Sequence, residues 1–322
     1  MSNIPLITVC ITAYQHEKFI NETIGSVLSQ KLDAGLEIIV GVQPFDNKDR
    51  TLECVYEMAA AYPEIIKVVM LPSDVKHIYM NGRKTGRANF LNTFSFAKGD
   101  YVCHLDGDDA YDRADKLQKQ IDFLENNTEY VVVSHAIINE MDSKDRAVYW
   151  KKEPSGFALS NVCGGAYFHL SSCMYRNIFK GELPFDFTLP GTGDLYLLMQ
   201  YLRFGKGFYF PILGSRYRVH GGGIYSGVGN RVKRKRMIRN LITYSNTGYF
   251  EECSELMLQR AKKISLVREY EIYCMRKKHA ARICFLLNNS GFFAKKLANK
   301  CKSASRKLYR KSKRSLKLIV CR

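Results

Sequence analysis

The chain of 322 residues is defined first by what it lacks. Its ten cysteines include no CxxC pair and follow no regular spacing, which argues against a zinc site. Cys10 and Cys103 fall within strand-like runs, and Cys163 and Cys173 lie beside apolar residues. That is the pattern of buried thiols in a reducing compartment. No apolar run approaches the ~20 residues needed to cross a bilayer. The opening "MSNIPLITVCITAY" has no basic n-region and no small-residue cleavage site, so no signal peptide is read there. There is no internal repeat.

Acidic residues are missing from one region only. Residues 231–322 hold 26 Lys/Arg against 5 Asp/Glu, and residues 291–322 hold no acid at all. The first 230 residues hold 23 Lys/Arg against 26 Asp/Glu, so the net charge of +18 belongs to the end of the chain. Composition therefore divides the protein at about residue 229 into a near-neutral body, 1–229, and a basic attachment region, 230–322. At 46% hydrophobic and 25% charged residues, the whole has ordinary globular composition.

The first half alternates short β-branched runs with amphipathic ones. Strands are expected at 6–14, 36–42, 65–71 and 100–105, and helices at 17–30, 49–62 and 87–99. Asp49 is placed to cap the second helix, Pro63 to stop it and Gly99 to close the third. Such strand–helix repeats with continuously apolar strands predict an α/β fold with a mostly parallel sheet covered on both faces. Ligands of these sheets sit beyond the carboxyl ends of the strands, here just after Ile11, Val42 and Leu105. Further on, 130–140 and 147–152 read as strands, 191–207 as a helix and 208–220 as an extended run.

The acid of the body concentrates at one such strand end. "HLDGDDAYDRADKLQKQIDFLE" carries Asp106, Asp108, Asp109, Asp112 and Asp115 within ten positions. On an extended backbone Asp106 and Asp108 point the same way, and Gly107 permits close approach. Two carboxylates suit Mg2+ or Mn2+, which completes its shell with water and phosphate, so the cluster reads as one side of a metal–diphosphate sandwich. An EF-hand fails, because Tyr111 and Leu117 stand where Gly and Glu are required. Asp112 and Asp115 read as the cap of the following helix.

Four ordered blocks, "ITAYQHEKFINETIGSVLSQ", "EIIVG", "ANFLNTFSFAKGDYVCHLDGDDAYDRADKLQKQIDFLE" and "GDLYLLMQYLRFGKGFYFPILGSRYRVHGGGIYSG", resemble the family 2 glycosyltransferases of GT-A fold. The similarity runs from about residue 4 to about residue 229, and its nearest flavour is the bacterial type that builds surface polysaccharide and lipid-linked glycans. The resemblance implies an inverting hexosyl- or N-acetylhexosaminyltransferase that uses a nucleotide-sugar donor, a glycan or lipid-linked acceptor, and Mn2+ or Mg2+. It places Thr12 and Tyr14 at the nucleotide base, and Asp106 near ribose and metal. Asp108 becomes the more direct metal ligand, Asp194 the general base and His220 a neighbour of the diphosphate or metal. Arg87 is assigned to the phosphates. The family's base-reading acid after the second strand has no clear counterpart in "VGVQPFDNKDRT", where Gln43, Phe45 or Asp46 takes the place depending on the gap. Gln43 can donate and accept, so a UDP-sugar remains the expectation.

In the basic region, a helix over 291–322 would gather Phe293, Leu297, Cys301, Ala304, Leu308, Ser315 and Ile319 near one face with Lys and Arg on the others, the pattern of a helix lying in a membrane interface. "RVKRKR" (231–236) adds a second patch. The expectation is a cytoplasmic protein held on the inner face of the membrane by its anionic surface. Nucleic acid is not expected as a partner, since aromatics are not interleaved with the cations. Two other readings fit the same residues: a nucleotidyltransferase, and a decayed transferase that only binds membrane or nucleic acid.

Overall fold

In the computed structural model the described residues are 4–43, 49–80, 83–141, 144–184, 186, 193–221 and 229–276, with side chains through 266 except those of Met80 and Arg83. Strand β1 (Leu6–Ala13) leads to helix α1 (Ile20–Leu28), β2 (Gly35–Val42), α2 (Thr51–Ala61) and β3 (Ile66–Met70). A two-stranded hairpin, β4 (Tyr79–Met80) with β5 (Arg83–Lys84), precedes α3 (Arg87–Phe94), β6 (Tyr101–Asp106) and β7 (Ala110–Tyr111). Then come α4 (Lys116–Asn126), β8 (Tyr130–Met141), β9 (Lys144–Val148), β10 (Ser155–Phe157), α5 (Leu159–Gly164) and β11 (Met174–Arg176). Helix α6 (Gly193–Tyr201), β12 (Lys206–Val219), α7 (Asn230–Ser245) and α8 (Glu251–Arg276) complete the described chain.

The main sheet runs β10-β12-β8-β11-β6-β1-β2-β3. Its β6-β1-β2-β3 half is wholly parallel, as the alternation of elements predicts. The short β11 enters antiparallel between β6 and β8, and β12 then pairs parallel with β8. The expected strand over 147–152 lies earlier, as β9, and pairs antiparallel with the end of β8.

The period-2 pattern of β1 assigns each face a job. Ile7, Val9, Ile11 and Ala13 join Ile38, Val40, Cys103 and Leu105 in one core with Ile20, Ile24 and Val27 of α1 and Leu117, Ile121 and Leu124 of α4. Each such side chain, fully buried, contributes about 1.5–3 kcal/mol. The alternate residues, Thr8, Cys10 and Thr12, face α3, where the Cys10 thiol reaches the Thr93 carbonyl and Asn89 donates to the Gly41 carbonyl at 2.7 Å. A Cβ on Gly41 would stand 1.7 Å from Thr93 Oγ1, so this helix can pack here only against glycine.

Three local expectations are corrected. Helix α3 stops at Phe94 rather than at Gly99, because the Phe96 and Ala97 N–H groups turn back to Thr93 and Phe94. Gly99 serves a close approach: its N–H donates to Thr8 Oγ1 at 2.8 Å, and a Cβ would meet Leu6 O at 2.7 Å. Asp112 does not cap α4. It accepts from Arg216 of β12 at 3.0 Å, while Asp115, at the helix start, binds Arg113 and Lys119. Helix α6 spans Gly193–Tyr201, shorter than 191–207, because the Phe204 N–H bonds Tyr201 O and the chain passes into β12.

The first compact unit extends to Lys262, past the compositional boundary at 229. Leu241 and Tyr244 of α7, and Phe250, Cys253 and Met257 around the start of α8, are all buried. Tyr244 stacks on Tyr196 of α6 at 4.9 Å. In "RVKRKR", Arg231 and Lys235 are exposed but Arg236 is buried, so the run is not a uniform solvated patch. Of the second unit, 263–322, the described part is the rest of α8. The tail over 291–322 lies outside the described residues. Among the residues with described side chains, Cys10, Cys54, Cys103, Cys163, Cys173 and Cys253 are buried and free.

Candidate active site

At the carboxyl end of the parallel half, Thr12 of β1 stands in register with Asp106 of β6, and its hydroxyl donates to Asp106 Oδ1 at 2.9 Å. The chain beyond Asp106 is not extended. The Gly107 N–H bonds Thr12 O and the Asp109 N–H bonds Asp106 O, both at 2.9 Å, so the Asp106-Gly107-Asp108 segment, a DxD sequence, is a tight turn zipped to the end of β1. The expected extended spacing of Asp106 and Asp108 is therefore replaced by a turn, and the two carboxylates still feel each other. Burial raises the Asp106 carboxyl above its ordinary value, and the negative charge of Asp108 raises it further.

Asp108 Oδ2 meets His220 Nε2 at 2.8 Å, where β12 ends. Arg218, two residues earlier in "YRVH", fixes the backbone of the same turn. Its guanidinium donates to Asp108 O at 3.0 Å, its N–H donates to Asp109 Oδ1 at 3.1 Å, and it pairs with Glu22 of α1. Asp109 is fully buried, with Oδ2 3.9 Å from His169 Nδ1, and burial and the charges of Asp108 and Asp106 raise its carboxyl above the ordinary value. Of the five acidic residues, Asp109, Asp112 and Asp115 are engaged by Arg218, Arg216, Arg113 and Lys119, which leaves Asp106 and Asp108 as the candidate pair.

Asp194 sits in the first turn of α6, half-buried. Burial raises its carboxyl above the ordinary range, while the backbone N–H groups of Leu195 and Asp194 and the charge of Arg87 oppose the shift. Its negative charge in turn contributes to raising Asp106. Carboxylates from β6, the DxD turn and α6 therefore share one electrostatic neighbourhood. Arg87 is 8% exposed at the start of α3, and its guanidinium lies in the field of Tyr244, Asp194 and Asp186.

The other expected positions flank this point. Tyr14 follows β1 and is half-buried; Gln43 is buried at the end of β2, its N–H donating to Ala13 O at 3.0 Å. Asp46, like Phe45, lies outside the described residues. Sequence reasoning missed His16, whose Nε2 lies 3.8 Å from Asp108 Oδ2, and Arg218. The closeness of Arg218 to His220 at the end of the extended run was a readable signal for the second, since both reach the turn that holds Asp108.

Among the described residues, no group of three or more His, Cys, Asp or Glu side chains is already gathered closely enough to hold a metal ion. The donor set nonetheless suits a divalent cation. Asp106 and Asp108 repel each other, a cost that a cation relieves, and two carboxylates with one imidazole match the preference of Mn2+ for oxygen and borderline nitrogen ligands.

The curated relatives include an uncharacterised protein of Mycobacterium tuberculosis, 25% identical over 221 residues that make up 66% of this chain; the chain spans 58% of that protein's length. An uncharacterised glycosyltransferase of Haemophilus influenzae is 24% identical over 76% of each chain. Among solved structures, S. aureus TarS 1–349 in complex with UDP-GlcNAc matches with a TM-score of 0.60 at 15% identity, covering 88% of this chain and 80% of that one. A mannosyltransferase of Pyrobaculum calidifontis in complex with GDP-Man and Mn2+ matches with a TM-score of 0.54 at 14% identity, covering 90% of this chain and 81% of that one. The sheet described above is thus the GT-A fold that the sequence resemblance implies. The sequence model of glycosyl transferase family 2 matches residues 8–177, and with them the β1 end, the DxD turn and β11: the chain belongs to that family.

Proposed function

We propose that the chain is an inverting, cation-dependent glycosyltransferase that moves a sugar from a nucleoside-diphosphate donor to a hydroxyl of a glycan or lipid-linked acceptor. What supports this reading is the placing of Asp106 and Asp108 at the carboxyl end of the parallel strands, with the charge of Asp194 among those that raise the Asp106 carboxyl. Relatives in fold that bind UDP-GlcNAc, or GDP-Man with Mn2+, support the donor class and the cation.

In this reading Asp106, Asp108 and His220 would hold Mn2+ or Mg2+, and the cation would supply positive charge against the diphosphate. Thr12 and Tyr14 line the nucleotide, Gln43 or Asp46 reads its base, and Arg87 serves both Asp194 and the phosphates. Asp194 accepts the proton of the acceptor hydroxyl as that oxygen attacks the anomeric carbon. The bond from the anomeric carbon to the diphosphate oxygen breaks, and nucleoside diphosphate leaves with the bonding pair. Attack from the face opposite the leaving group inverts the centre. Backbone N–H groups of the first turn of α6 favour the charged form of the Asp194 carboxyl, which suits a proton acceptor.

The basic region 230–322 is proposed to hold the enzyme at an anionic membrane surface, on the cytoplasmic side, where a lipid-linked acceptor of surface-glycan synthesis is met. Exposed Arg231 and Lys235 of α7 support part of that surface. Among the described residues no helix is long and apolar enough to cross a membrane.

The deciding experiment identifies the released product. Incubation with UDP- and GDP-sugars, Mn2+ and lipid-linked or glycan acceptors is expected to liberate nucleoside diphosphate. Release of pyrophosphate from nucleoside triphosphate instead would establish nucleotidyl transfer.

A further inference from the structure

His16 lies in the turn after β1, where Gln15 takes a left-handed φ of 58°. Its backbone is held at both ends: the N–H donates to Thr51 Oγ1 at 2.7 Å, and the carbonyl accepts from Phe19 and Ile20, each at 2.9 Å. The ring packs against the DxD turn so closely that a Cβ on Gly107 would stand 2.5 Å from Nδ1. Nε2 faces Asp108 Oδ2 at 3.8 Å, the same oxygen that His220 meets at 2.8 Å. A left-handed residue, three backbone hydrogen bonds and a glycine that leaves room for the ring thus converge to aim one imidazole at Asp108.

The ring's proton can be placed from its surroundings. Nδ1 is buried and has no hydrogen-bond partner. A proton there would be a buried donor without an acceptor, whereas a proton on Nε2 points at a carboxylate. An Nε2 that carries its proton cannot ligate a cation, which requires the bare lone pair.

We propose that His16 is a positioning residue of the transfer reaction: its Nε2–H holds the Oδ2 edge of Asp108 so that the carboxylate keeps its orientation as the cation and diphosphate bind. The two histidines on Asp108 then have different tasks: His220, hydrogen-bonded to Asp108 Oδ2 at 2.8 Å, has to give up that bond and turn a bare nitrogen to the cation, while His16 stays as the donor that keeps Asp108 in place. The 3.8 Å separation closes to a hydrogen bond with a shift of about 1 Å. This inference rests on the cation reading given above.

The test measures Mn2+ binding by electron paramagnetic resonance, in the presence of UDP or GDP, for the whole chain and its His16→Phe and His16→Gln variants. His16→Phe keeps the ring's bulk without a donor, and His16→Gln restores an N–H at similar reach. Outer partners of metal ligands typically cost 10–100-fold in affinity when removed, so about a tenfold weaker Mn2+ affinity is expected for His16→Phe, with most of it recovered in His16→Gln. The 14N modulation of bound Mn2+ should be the same in wild type and His16→Gln, and lost in His220→Phe. Separately, 15N spectra of the cation-free protein at pH 8 should show His16 as the Nε2–H tautomer. Wild-type protein that binds no Mn2+ sinks the cation reading and this proposal with it. If wild type binds Mn2+, the proposal alone is overturned by unchanged affinity in His16→Phe, by failure of His16→Gln to recover binding, by loss of 14N modulation in His16→Gln, or by an Nδ1–H tautomer.

Discussion

Thr12 and Asp106 stand opposite one another on neighbouring parallel strands, and the threonine hydroxyl donates to the aspartate at 2.9 Å. This bond favours the charged form of a carboxyl that burial and Asp108 push the other way. Thr12→Val keeps the shape and removes the donor. It should weaken Mn2+ affinity several-fold near pH 7, while Thr12→Ser preserves it. Unfolding free energy should change by only about 1 kcal/mol, the net worth of one such hydrogen bond, as read by urea titration.

Asp194 provides a kinetic test of its assignment. Asp194→Asn retains the side chain's size and loses the proton acceptor. General-base catalysis is worth roughly 10²–10⁴-fold, so kcat should fall by that factor while donor affinity, measured by calorimetry, stays within about threefold. Equal losses in donor affinity and turnover would assign Asp194 to donor binding instead.

His104 connects the core below the site to acid stability. It points to the same side of β6 as Asp106, is 2% exposed, and stacks on Phe90 at 4.3 Å with neither ring nitrogen hydrogen-bonded. Burial pushes its pKa down to about 3. A histidine held neutral in the fold contributes stability that is present above its unfolded value of about 6.5 and is lost as pH falls from there toward the folded value. Between pH 7.5 and 5 this one group should lower the unfolding free energy by about 2 kcal/mol. His104→Phe, which keeps the stacking, should remove that part of the pH dependence in urea titrations at the two pH values. His169, lowered by burial to about 4, adds a separate contribution of the same sign.

Gly41 tests the packing that places the end of β2. A methyl group there would meet Thr93 Oγ1 at 1.7 Å and Asn89 Oδ1 at 2.8 Å. Gly41→Ala should destabilise by about 1–3 kcal/mol through overpacking, and adding Thr93→Ala should recover part of the loss in thermal unfolding.

The parallel half of the sheet was legible because β1, β2, β3 and β6 are continuous apolar runs, each set off by an amphipathic helix or a turn. β11 was not, because three residues, Met174–Arg176, carry no period of their own and are strand only through pairing with β6 and β8. Asp112 shows why spacing misled at the helix start: its partner, Arg216, lies 104 residues away and enters only when β12 crosses the sheet. The DxD pair was read from its place after a buried strand, and the turn that shapes it was hidden because Gly107 is fixed by Thr12 and His16 of another strand and loop. His16 itself stood inside a recognised block, but nothing local to it reveals the facing carboxylate.

The central claim is that Asp106, Asp108 and His220 bind a divalent cation together with a nucleoside diphosphate. Calorimetric titration of UDP and GDP into wild-type protein and Asp108→Ala, each with Mn2+ and with EDTA, tests it most directly. Tight binding of one nucleotide that needs both Mn2+ and Asp108, in variants that unfold at the wild-type temperature, is the predicted result. Binding of equal strength in EDTA, or in Asp108→Ala with Mn2+, would contradict it.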